Sequence, residues 1–416
     1  MNNVNTIHTG DAFEVLDHIG ENNVHAVVTD PPYGLAFMGR DWDDFEPKEY
    51  QGWCERWASK VKRVLKPGGH LLAFSGNRTH HRLFSGVEDA GFEIRDTVTW
   101  HYGSGFPKAL DVSKAIDKTA DAEREVVGSS TLPNGEPHEY NIGYGEGVGY
   151  ESKVTSRKET APATDAAKKW DGFKTALKPA TEYVVVARKP FDGTVAENVQ
   201  THGTGALNID GCRVGNEERT QRNTVDQRGG MVGGNNTEKE MVTETGRYPS
   251  NVVFDERAAE DLDRKNDNTI STGGVPDDGQ SDERHDWGAN VQESTGGLGD
   301  SGGVSRYFYT SKASKSERTL DGTIENAHPT VKPQDLMEWL VKLVTAEGQV
   351  VLDPFAGTGT TLKAAKDLNR RFIGIEKQAK WADVARVRCN LTPNNPGAVR
   401  SDDGQEGLEA YGESDD

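Results

Sequence analysis

Residues 350–361 read VVLDPFAGTGTT, and this stretch decides the fold. Its apolar start predicts a short buried strand, its two glycines predict a tight turn, and the LKAAKDL that follows predicts a helix. Glycines let the backbone approach a ligand, and the first N–H groups of a helix can face that ligand. Glu376 ends the next predicted strand, where an acid can bind ribose hydroxyls. The stretch therefore predicts a pocket for a nucleoside-containing cofactor; a tight strand-to-helix connection without a ligand is the alternative.

The residues around the turn narrow the choice of nucleoside. No lysine follows Gly359, so the turn does not match the phosphate-binding loop of nucleoside triphosphatases. Leu362 stands where the dinucleotide fingerprint needs a third small residue. The carboxylate of Asp353, directly before the turn, is unfavourable for a pyrophosphate but suits a cationic ligand. These features favour a cofactor such as S-adenosylmethionine, which carries a sulfonium and an ammonium group.

A second motif lies near the N-terminus, where DPPYG at 30–34 directly follows the apolar run VHAVVT at 24–29. A continuous apolar run of that length is typical of a strand buried on both faces. The two prolines stiffen the exit from the strand and leave carbonyl groups free. A carboxylate beside such carbonyls can accept the hydrogens of an exocyclic amine and orient its lone pair, and Tyr33 can stack on a planar ring. A stiffened strand exit with an ordinary N-cap aspartate is the alternative.

Hydrophobic periodicity predicts the remaining elements. Helices are predicted at 49–65 and along the stripe at 336–344, and strands at 70–74, 93–100, 183–187, 252–254, 306–309 and 371–376. Glycine-rich stretches around 143–149, 229–234 and 296–303 predict loops in the middle of the chain. The two α/β pieces each look too small to fold alone. We therefore expect one sheet built from both ends of the chain, with the middle inserted.

Composition excludes several classes of protein. The 48 basic and 67 acidic residues give a net charge of −19, which disfavours binding of polyanions by bulk attraction alone. Cys54, Cys212 and Cys389 are far apart and include no Cys-x-x-Cys pair, so neither a disulfide framework nor a metal site is expected. We find no signal peptide and no apolar run of about 18 residues, so a soluble cytoplasmic protein without membrane association is expected.

Taken together, the motifs resemble those of the DNA amino-methyltransferases, which methylate N6 of adenine or N4 of cytosine. DPPY comes early and DPFAGTGTT late, an order that resembles the circularly permuted β class of this family in prokaryotes and phages. Further segments resemble the family: GDA at 10–12, LKPGG at 65–69, the stretch from Trp100 to GFPK at 105–108, LKPA at 177–180, and HPTVKP at 328–333.

The resemblance implies an α/β fold of the S-adenosylmethionine-dependent methyltransferase type, which is Rossmann-like. Its sheet would be mostly parallel, with one antiparallel strand at Tyr183. It also implies roles for the tetrapeptide Asp30-Pro31-Pro32-Tyr33. Asp30 and the Pro31 carbonyl would hold the target amine, and Tyr33 would stack on the base.

The resemblance implies a set of cofactor-binding residues as well. Asp11 would contact the adenine of the cofactor, Glu376 its ribose, and Thr330 and Lys332 its methionine carboxylate. The rest of the implied set lies in the glycine turn: Asp353, Phe355, Ala356, Gly357, Thr358, Gly359 and Thr360.

The expected domain organisation follows the same resemblance. Residues 1–100 and 326–390 would form the catalytic and cofactor-binding halves of the methyltransferase domain. Residues 101–325 would form an inserted, loop-rich target-recognition region, and residues 391–416 an acidic disordered tail.

The expected function is site-specific methylation of the N6 amine of adenine in duplex DNA after base flipping. Asp rather than Ser at position 30 favours adenine by resemblance, with N4 of cytosine as the alternative. The motifs are less typical of an RNA or protein-glutamine methyltransferase, a nicotinamide dehydrogenase or an inactive DNA-binding homologue. Besides duplex DNA, a second copy of the chain and a cognate restriction endonuclease are candidate partners.

Overall fold

A computed structural model of the protein describes residues 4–35, 45–103, 105, 109–130, 157–222, 241–265, 303–311 and 331–395. These residues form two compact units. One lies within Met1–Gly103 and Thr181–Asp402, and the other within Ser104–Ala180. The glycine-rich loops predicted around 143–149 and 229–234, and the tail beyond residue 395, fall outside the described residues.

The larger unit contains a nine-stranded sheet to which both ends of the chain contribute. In chain order, the described strands are β1 (Thr6–Thr9), β2 (Val24–Thr29), β3 (Leu65–Ser75), β4 (Glu93–His101), β5 (Val126–Ser130), β6 (Arg157–Thr160), β7 (Thr181–Arg188), β8 (Val214–Arg222), β9 (Met241–Arg247), β10 (Val252–Asp255), β11 (Tyr309–Ser311), β12 (Val350–Asp353) and β13 (Arg371–Glu376). The order across the sheet is β1-β13-β12-β2-β3-β7-β4-β10-β11, while β5–β6 and β8–β9 form separate two-stranded ladders.

The sheet is parallel except at β7, which confirms the predicted fold class. β7 runs antiparallel to both of its neighbours, β3 and β4, and it contains the predicted strand at Tyr183. The N-terminal and C-terminal strands pair directly: Thr9 lies opposite Glu376, and Val27 lies opposite Leu352. One sheet is therefore built from both ends of the chain.

Helices cover both faces of this sheet. In chain order, the described helices are α1 (Ala12–Asp17), α2 (Pro47–Val64), α3 (His80–Asp89), α4 (Val112–Thr119), α5 (Asp165–Lys169), α6 (Val195–His202), α7 (Glu256–Lys265), α8 (Gln334–Val344), α9 (Thr360–Asp367) and α10 (Ala379–Arg388). Apolar residues of α1, α2 and α3 pack on one face, and those of α8, α9 and α10 pack on the other. None of the helices in the described ranges is both long enough and apolar enough to cross a membrane.

Two apolar layers result because successive side chains of a strand point to opposite faces. Val27 and Leu71 join the layer under α2, whereas Val28 and Leu72 join the layer under α8. This explains why VHAVVT is mostly apolar rather than alternating, since a central parallel strand is buried on both sides.

The smaller unit is organised around a buried carboxylate. Asp117 on α4 accepts hydrogen bonds from the Nη1 of Arg124 at 2.7 Å and from the backbone N–H groups of Ala163 and Thr164 at 2.9 and 3.0 Å. Burial alone would raise the pKa of Asp117, but these donors hold it at about 2. The carboxylate thereby joins α4 to the segment that leads into α5.

The prediction of a strand at 306–309 is wrong for three of its four residues. Val304–Tyr307 form a 3-10 turn, and the strand β11 begins only at Tyr309. The turn is fixed by a tertiary contact, because the backbone N–H of Ser305 donates to Asp263 at 2.7 Å. The aromatic ring of Tyr309 stacks on Trp339 with a centroid distance of 5.4 Å.

Leu352 offers a test of the core that the two chain ends share. It is fully buried on β12 in the layer that also contains Val24, Val27 and Trp57. We predict that Leu352→Ala lowers the free energy of unfolding by about 2–5 kcal/mol, because it leaves a cavity in this layer. Leu207→Ala, at a side chain that is 41% exposed in the same unit, should cost about 1 kcal/mol or less. Urea denaturation followed by tryptophan fluorescence measures both, and equal losses would contradict the shared core.

Candidate functional site

Acidic residues gather at one edge of the sheet. The carboxyl ends of parallel strands meet at the same edge, where open α/β sheets bind their ligands. Asp353 and Glu376 are the last residues of the neighbouring strands β12 and β13, and Asp30 directly follows β2. Asp11, the N-cap of α1, lies two residues beyond β1. The topology thus brings together four of the site residues predicted from the sequence.

The glycine turn between β12 and α9 has the conformation that its sequence predicts. Gly357 and Gly359 have φ angles of 51° and 79°, in the left-handed region that favours glycine. A Cβ atom on Gly359 would also lie 2.7 Å from the Cβ of Ala385. Gly359 is the N-cap of α9 and has no side chain to accept from the first N–H groups of the helix. The start of α9 can therefore receive polar groups of a ligand.

Arg388 on α10 supports this turn and was not identified from the sequence. Its Nη1 donates to the backbone oxygen of Thr358 at 2.8 Å, and to the hydroxyls of Thr358 and Thr360 at 3.2 and 3.0 Å. These two threonines were predicted to contact a cofactor, and their hydroxyls here accept from a buried arginine. A basic residue near the end of a C-terminal helix gave no sequence signal for this role.

Asp353 and Thr29 connect the two halves of the site. The Thr29 hydroxyl donates to Oδ1 of Asp353 at 2.6 Å, and the backbone N–H of Phe355 donates to the same oxygen at 3.1 Å. Burial, together with the charge of Asp30, raises the pKa of Asp353 to about 6 although these donors oppose the shift. The negative charge of Asp30 therefore acts on the residue that opens the glycine turn.

Glu376 is tied to the backbone of the same turn. Its Oε2 accepts from the N–H of Gly357 at 2.9 Å, and its Oε1 accepts from the N–H of Gln378 at 2.8 Å. Burial raises the pKa of Glu376, and the backbone donors only partly oppose that shift. Because each carboxylate oxygen can accept a second hydrogen bond, Glu376 can still bind a hydroxyl group.

The corner at residues 30–33 is stiff and anchored from two sides. The Tyr33 hydroxyl donates to Oδ1 of Asp30 at 2.8 Å, and the Tyr50 hydroxyl on α2 donates to the Pro32 carbonyl at 2.8 Å. The turn closes at Gly34, whose φ is 66° and where a Cβ would lie 2.7 Å from the Tyr50 ring. The corner is therefore held in one shape by α2.

Lys332 lies on this corner. Its Nζ donates to Oδ2 of Asp30 at 2.6 Å and lies 3.2 Å from the Tyr33 hydroxyl. Burial would lower the pKa of Lys332, but Asp30 and Glu182 raise it above its ordinary value. The ammonium is therefore charged and paired with Asp30. The role predicted for it, binding a cofactor carboxylate, stays a prediction, and Thr330 lies outside the described residues.

Glu182 belongs to the same cluster and was not identified from the sequence. Its Oε2 lies 3.3 Å from Nζ of Lys332 and 3.0 Å from the Tyr33 hydroxyl, whose single proton can be donated either to Asp30 or to Glu182. Its position in TEYVVVAR could have identified it, because an acidic residue precedes the apolar part of a predicted strand. β7 is antiparallel, so its first residues lie at the edge where its parallel neighbours end.

Three predicted cofactor residues have packing or capping contacts of their own. The ring of Phe355 packs against Trp53 and Trp57, with centroid distances of 5.4 and 5.6 Å, and Ala356 is buried. Asp11 caps α1, because its Oδ1 accepts from the N–H of Phe13 at 2.9 Å. The Asp11 side chain is 38% exposed, and its other oxygen, Oδ2, lies 3.8 Å from Nζ of Lys377.

Comparison with known proteins identifies DNA methylases and type II methyltransferases as similar to this chain. A family model described as DNA methylase matches residues 24–386. The type II methyltransferase M.HindIII of Haemophilus influenzae is 22% identical, over 94% of this chain and 97% of its own length. M.HinfI of Haemophilus influenzae is 42% identical, over 20% of this chain and 23% of its own length.

Two solved structures are similar to this chain over most of its length. The PvuII DNA methyltransferase, cytosine-N4-specific, has a TM-score of 0.44 and 14% identity, with 94% of this chain and 87% of that chain covered. M1.HpyAVI in complex with SAM has a TM-score of 0.37 and 16% identity, with 92% and 99% covered.

The raised pKa of Asp353 predicts a pH dependence of stability. The folded protein holds this proton more tightly than the unfolded chain, whose reference pKa is 3.8. The resulting stabilisation is fully present below that value and is lost as the pH rises through about 6. We predict that the unfolding free energy of the wild type, relative to Asp353→Asn, falls by roughly 2 kcal/mol between pH 4 and pH 7. Denaturant titrations at both pH values measure this difference, and a constant or rising difference would contradict the assignment.

Proposed function

The chain belongs to the DNA methylase family, and we propose that it transfers a methyl group from S-adenosylmethionine to the exocyclic N6 amine of adenine in duplex DNA. The observation that carries this proposal is the common sheet edge shared by the corner at 30–33 and the glycine turn at 357–359. The hydrogen bond from Thr29 to Asp353 joins the two at 2.6 Å. Methyl transfer requires such a juxtaposition, because the amine and the methyl donor must be held next to each other.

The side chains at this edge fit S-adenosylmethionine. The carboxylate of Asp353 suits its cationic groups, Glu376 can accept a ribose hydroxyl, and the uncapped start of α9 can bind polar groups. Asp11 and the turn from Phe355 to Thr360 complete the proposed pocket. When bound, the cofactor supplies a methyl group activated by the positive charge of its sulfonium.

The corner at 30–33 would hold the target base. Asp30 accepts one hydrogen of the exocyclic amine and the Pro31 carbonyl accepts the other, which directs the nitrogen lone pair toward the methyl donor. Tyr33 stacks on the base, and Pro32 keeps the corner rigid through its bond to Tyr50. After methylation the nitrogen loses one proton, which Asp30 can accept.

We assign target recognition to residues 101–325. A base inside a duplex hides its amine, so the enzyme must flip the base out at a cost of a few kcal/mol. Within this region the guanidinium groups of Arg247 and Arg306 lie 4.8 and 4.4 Å from the centre of the Tyr307 ring. Arg247 is buried, whereas Tyr307 is exposed and Arg306 partly exposed, so these last two residues suit contact with a phosphate backbone.

The proposal also includes methylation at a specific DNA sequence and two further binding partners. M.HindIII, which is similar over nearly the whole chain, is named a type II methyltransferase, and this supports methylation at a defined sequence. A second copy of the chain and a cognate restriction endonuclease are proposed partners, and the cytoplasm is the proposed compartment. Adenine is favoured over cytosine because Asp occupies position 30, as in the adenine enzymes that the motif resembles.

Transfer of a labelled methyl group tests the reaction. We predict that the purified chain transfers tritium from labelled S-adenosylmethionine to duplex DNA and that Asp30→Ala lowers the rate at least a hundredfold, because the amine loses its acceptor. Binding of S-adenosylmethionine should change by no more than a few fold. Asp89→Ala, at an exposed aspartate on α3, is the matched control and should retain the wild-type rate.

The modified nucleoside identifies the target base. Digestion of the methylated DNA should yield N6-methyladenine, and N4-methylcytosine alone would overturn the choice of adenine. Transfer to RNA or protein but not to DNA would overturn the choice of substrate. Equally low transfer by wild type and Asp30→Ala at saturating cofactor would indicate an inactive DNA-binding homologue. Modification-sensitive sequencing of DNA from cells that express the chain would report the methylated sequence.

A further inference from the structure

Both carboxylate oxygens of Asp30 are engaged by donors of the protein itself. Oδ1 accepts from the Tyr33 hydroxyl at 2.8 Å, and Oδ2 accepts from the Lys332 ammonium at 2.6 Å. In the proposed reaction Asp30 must accept a hydrogen of the target amine. The amine therefore competes with a phenol and an ammonium for the same oxygens.

Both donors keep their protons around neutral pH. Burial and the adjacent carboxylates raise the pKa of Tyr33, and the same carboxylates raise the pKa of Lys332. Neither donor can release Asp30 by losing its proton. Each must therefore have another acceptor if Asp30 is to turn to the base.

Glu182 is that second acceptor for both donors. A single oxygen, Oε2, lies 3.0 Å from the Tyr33 hydroxyl and 3.3 Å from the Lys332 ammonium. The Lys332 side chain is only 8% exposed, so leaving its charge without a partner would be costly. Glu182 allows the lysine to leave Asp30 while keeping a counter-charge.

We propose that Glu182 is a positioning residue that takes over Tyr33 and Lys332 when the target amine binds to Asp30. The proposal rests on the function proposed above, since it concerns entry of the base into that site. The exchange involves only hydrogen bonds and an ion pair, so no covalent bond changes. A neutral amine is a weaker donor than an ammonium, so it can occupy Asp30 only because Glu182 accepts from the phenol and the ammonium instead.

A comparison of two DNA duplexes tests this role. One duplex contains the methylated sequence identified by sequencing, and the other has an abasic site at the target position, so that it offers no amine. Dissociation constants are measured with S-adenosylhomocysteine present, for the wild type and for Glu182→Gln. Glu93→Gln is the matched control, because Glu93 lies on the neighbouring strand β4 and pairs with Arg188 away from the site.

We expect Glu182→Gln to weaken binding of the base-containing duplex about tenfold, as loss of a charged hydrogen-bond partner would. Binding of the abasic duplex should stay within about twofold, and Glu93→Gln should change neither. Equal weakening on both duplexes, or none on either, would overturn the proposal. Failure of the wild type to methylate DNA would instead overturn the proposed function.

A second variant distinguishes a positioning role of Glu182, exerted through Lys332, from a merely structural role. In a Lys332→Met background, Glu182→Gln should cost only about threefold on the base-containing duplex, because the ammonium no longer needs a second acceptor. An undiminished tenfold loss would show that Glu182 does not act through Lys332. If Glu182→Gln does not fold, Glu182→Asp keeps the charge and should give an intermediate loss on the same pair of duplexes. No loss there would also overturn the proposal.

Discussion

The structure depends on the contact between β2 and β12, which come from opposite ends of the chain. Val27 pairs with Leu352 in the sheet, and the Thr29 hydroxyl donates to the buried Asp353 at 2.6 Å. Because the two strands are parallel, their carboxyl ends meet at one edge. The prolyl corner that follows β2 and the glycine turn that follows β12 are neighbours for this reason alone.

Four acidic residues lie at this same edge of the sheet. Asp30, Asp353, Glu182 and Glu376 all lie at strand ends, and among the described residues one buried lysine, Lys332, pairs with two of them. Burial of a carboxylate is unfavourable unless it is paired or hydrogen-bonded, and the raised pKa of Asp353 reflects that cost. A cationic methyl donor and an amine substrate would both be stabilised by such a site.

Much of this arrangement could be predicted from the sequence. The apolar runs at 24–29 and 350–352 identified buried strands, and the antiparallel strand at Tyr183 was expected from the family resemblance. Glu182 and Arg388 were not identified, because each contacts residues distant in sequence. The turn at 304–307 was missed for the same reason, since a contact from Asp263 overrides the local strand propensity of RYFY.

The coupling between Thr29 and Asp353 tests the central claim most directly, namely that the two chain ends form one site. Unfolding free energies of Thr29→Val, Asp353→Asn and the double variant complete a double-mutant cycle. We predict a coupling of about 1–2 kcal/mol, because each single substitution removes the same buried hydrogen bond. The pair Thr29→Val and Asp89→Asn should be additive. Additivity within about 0.3 kcal/mol for Thr29 and Asp353 would contradict the shared site.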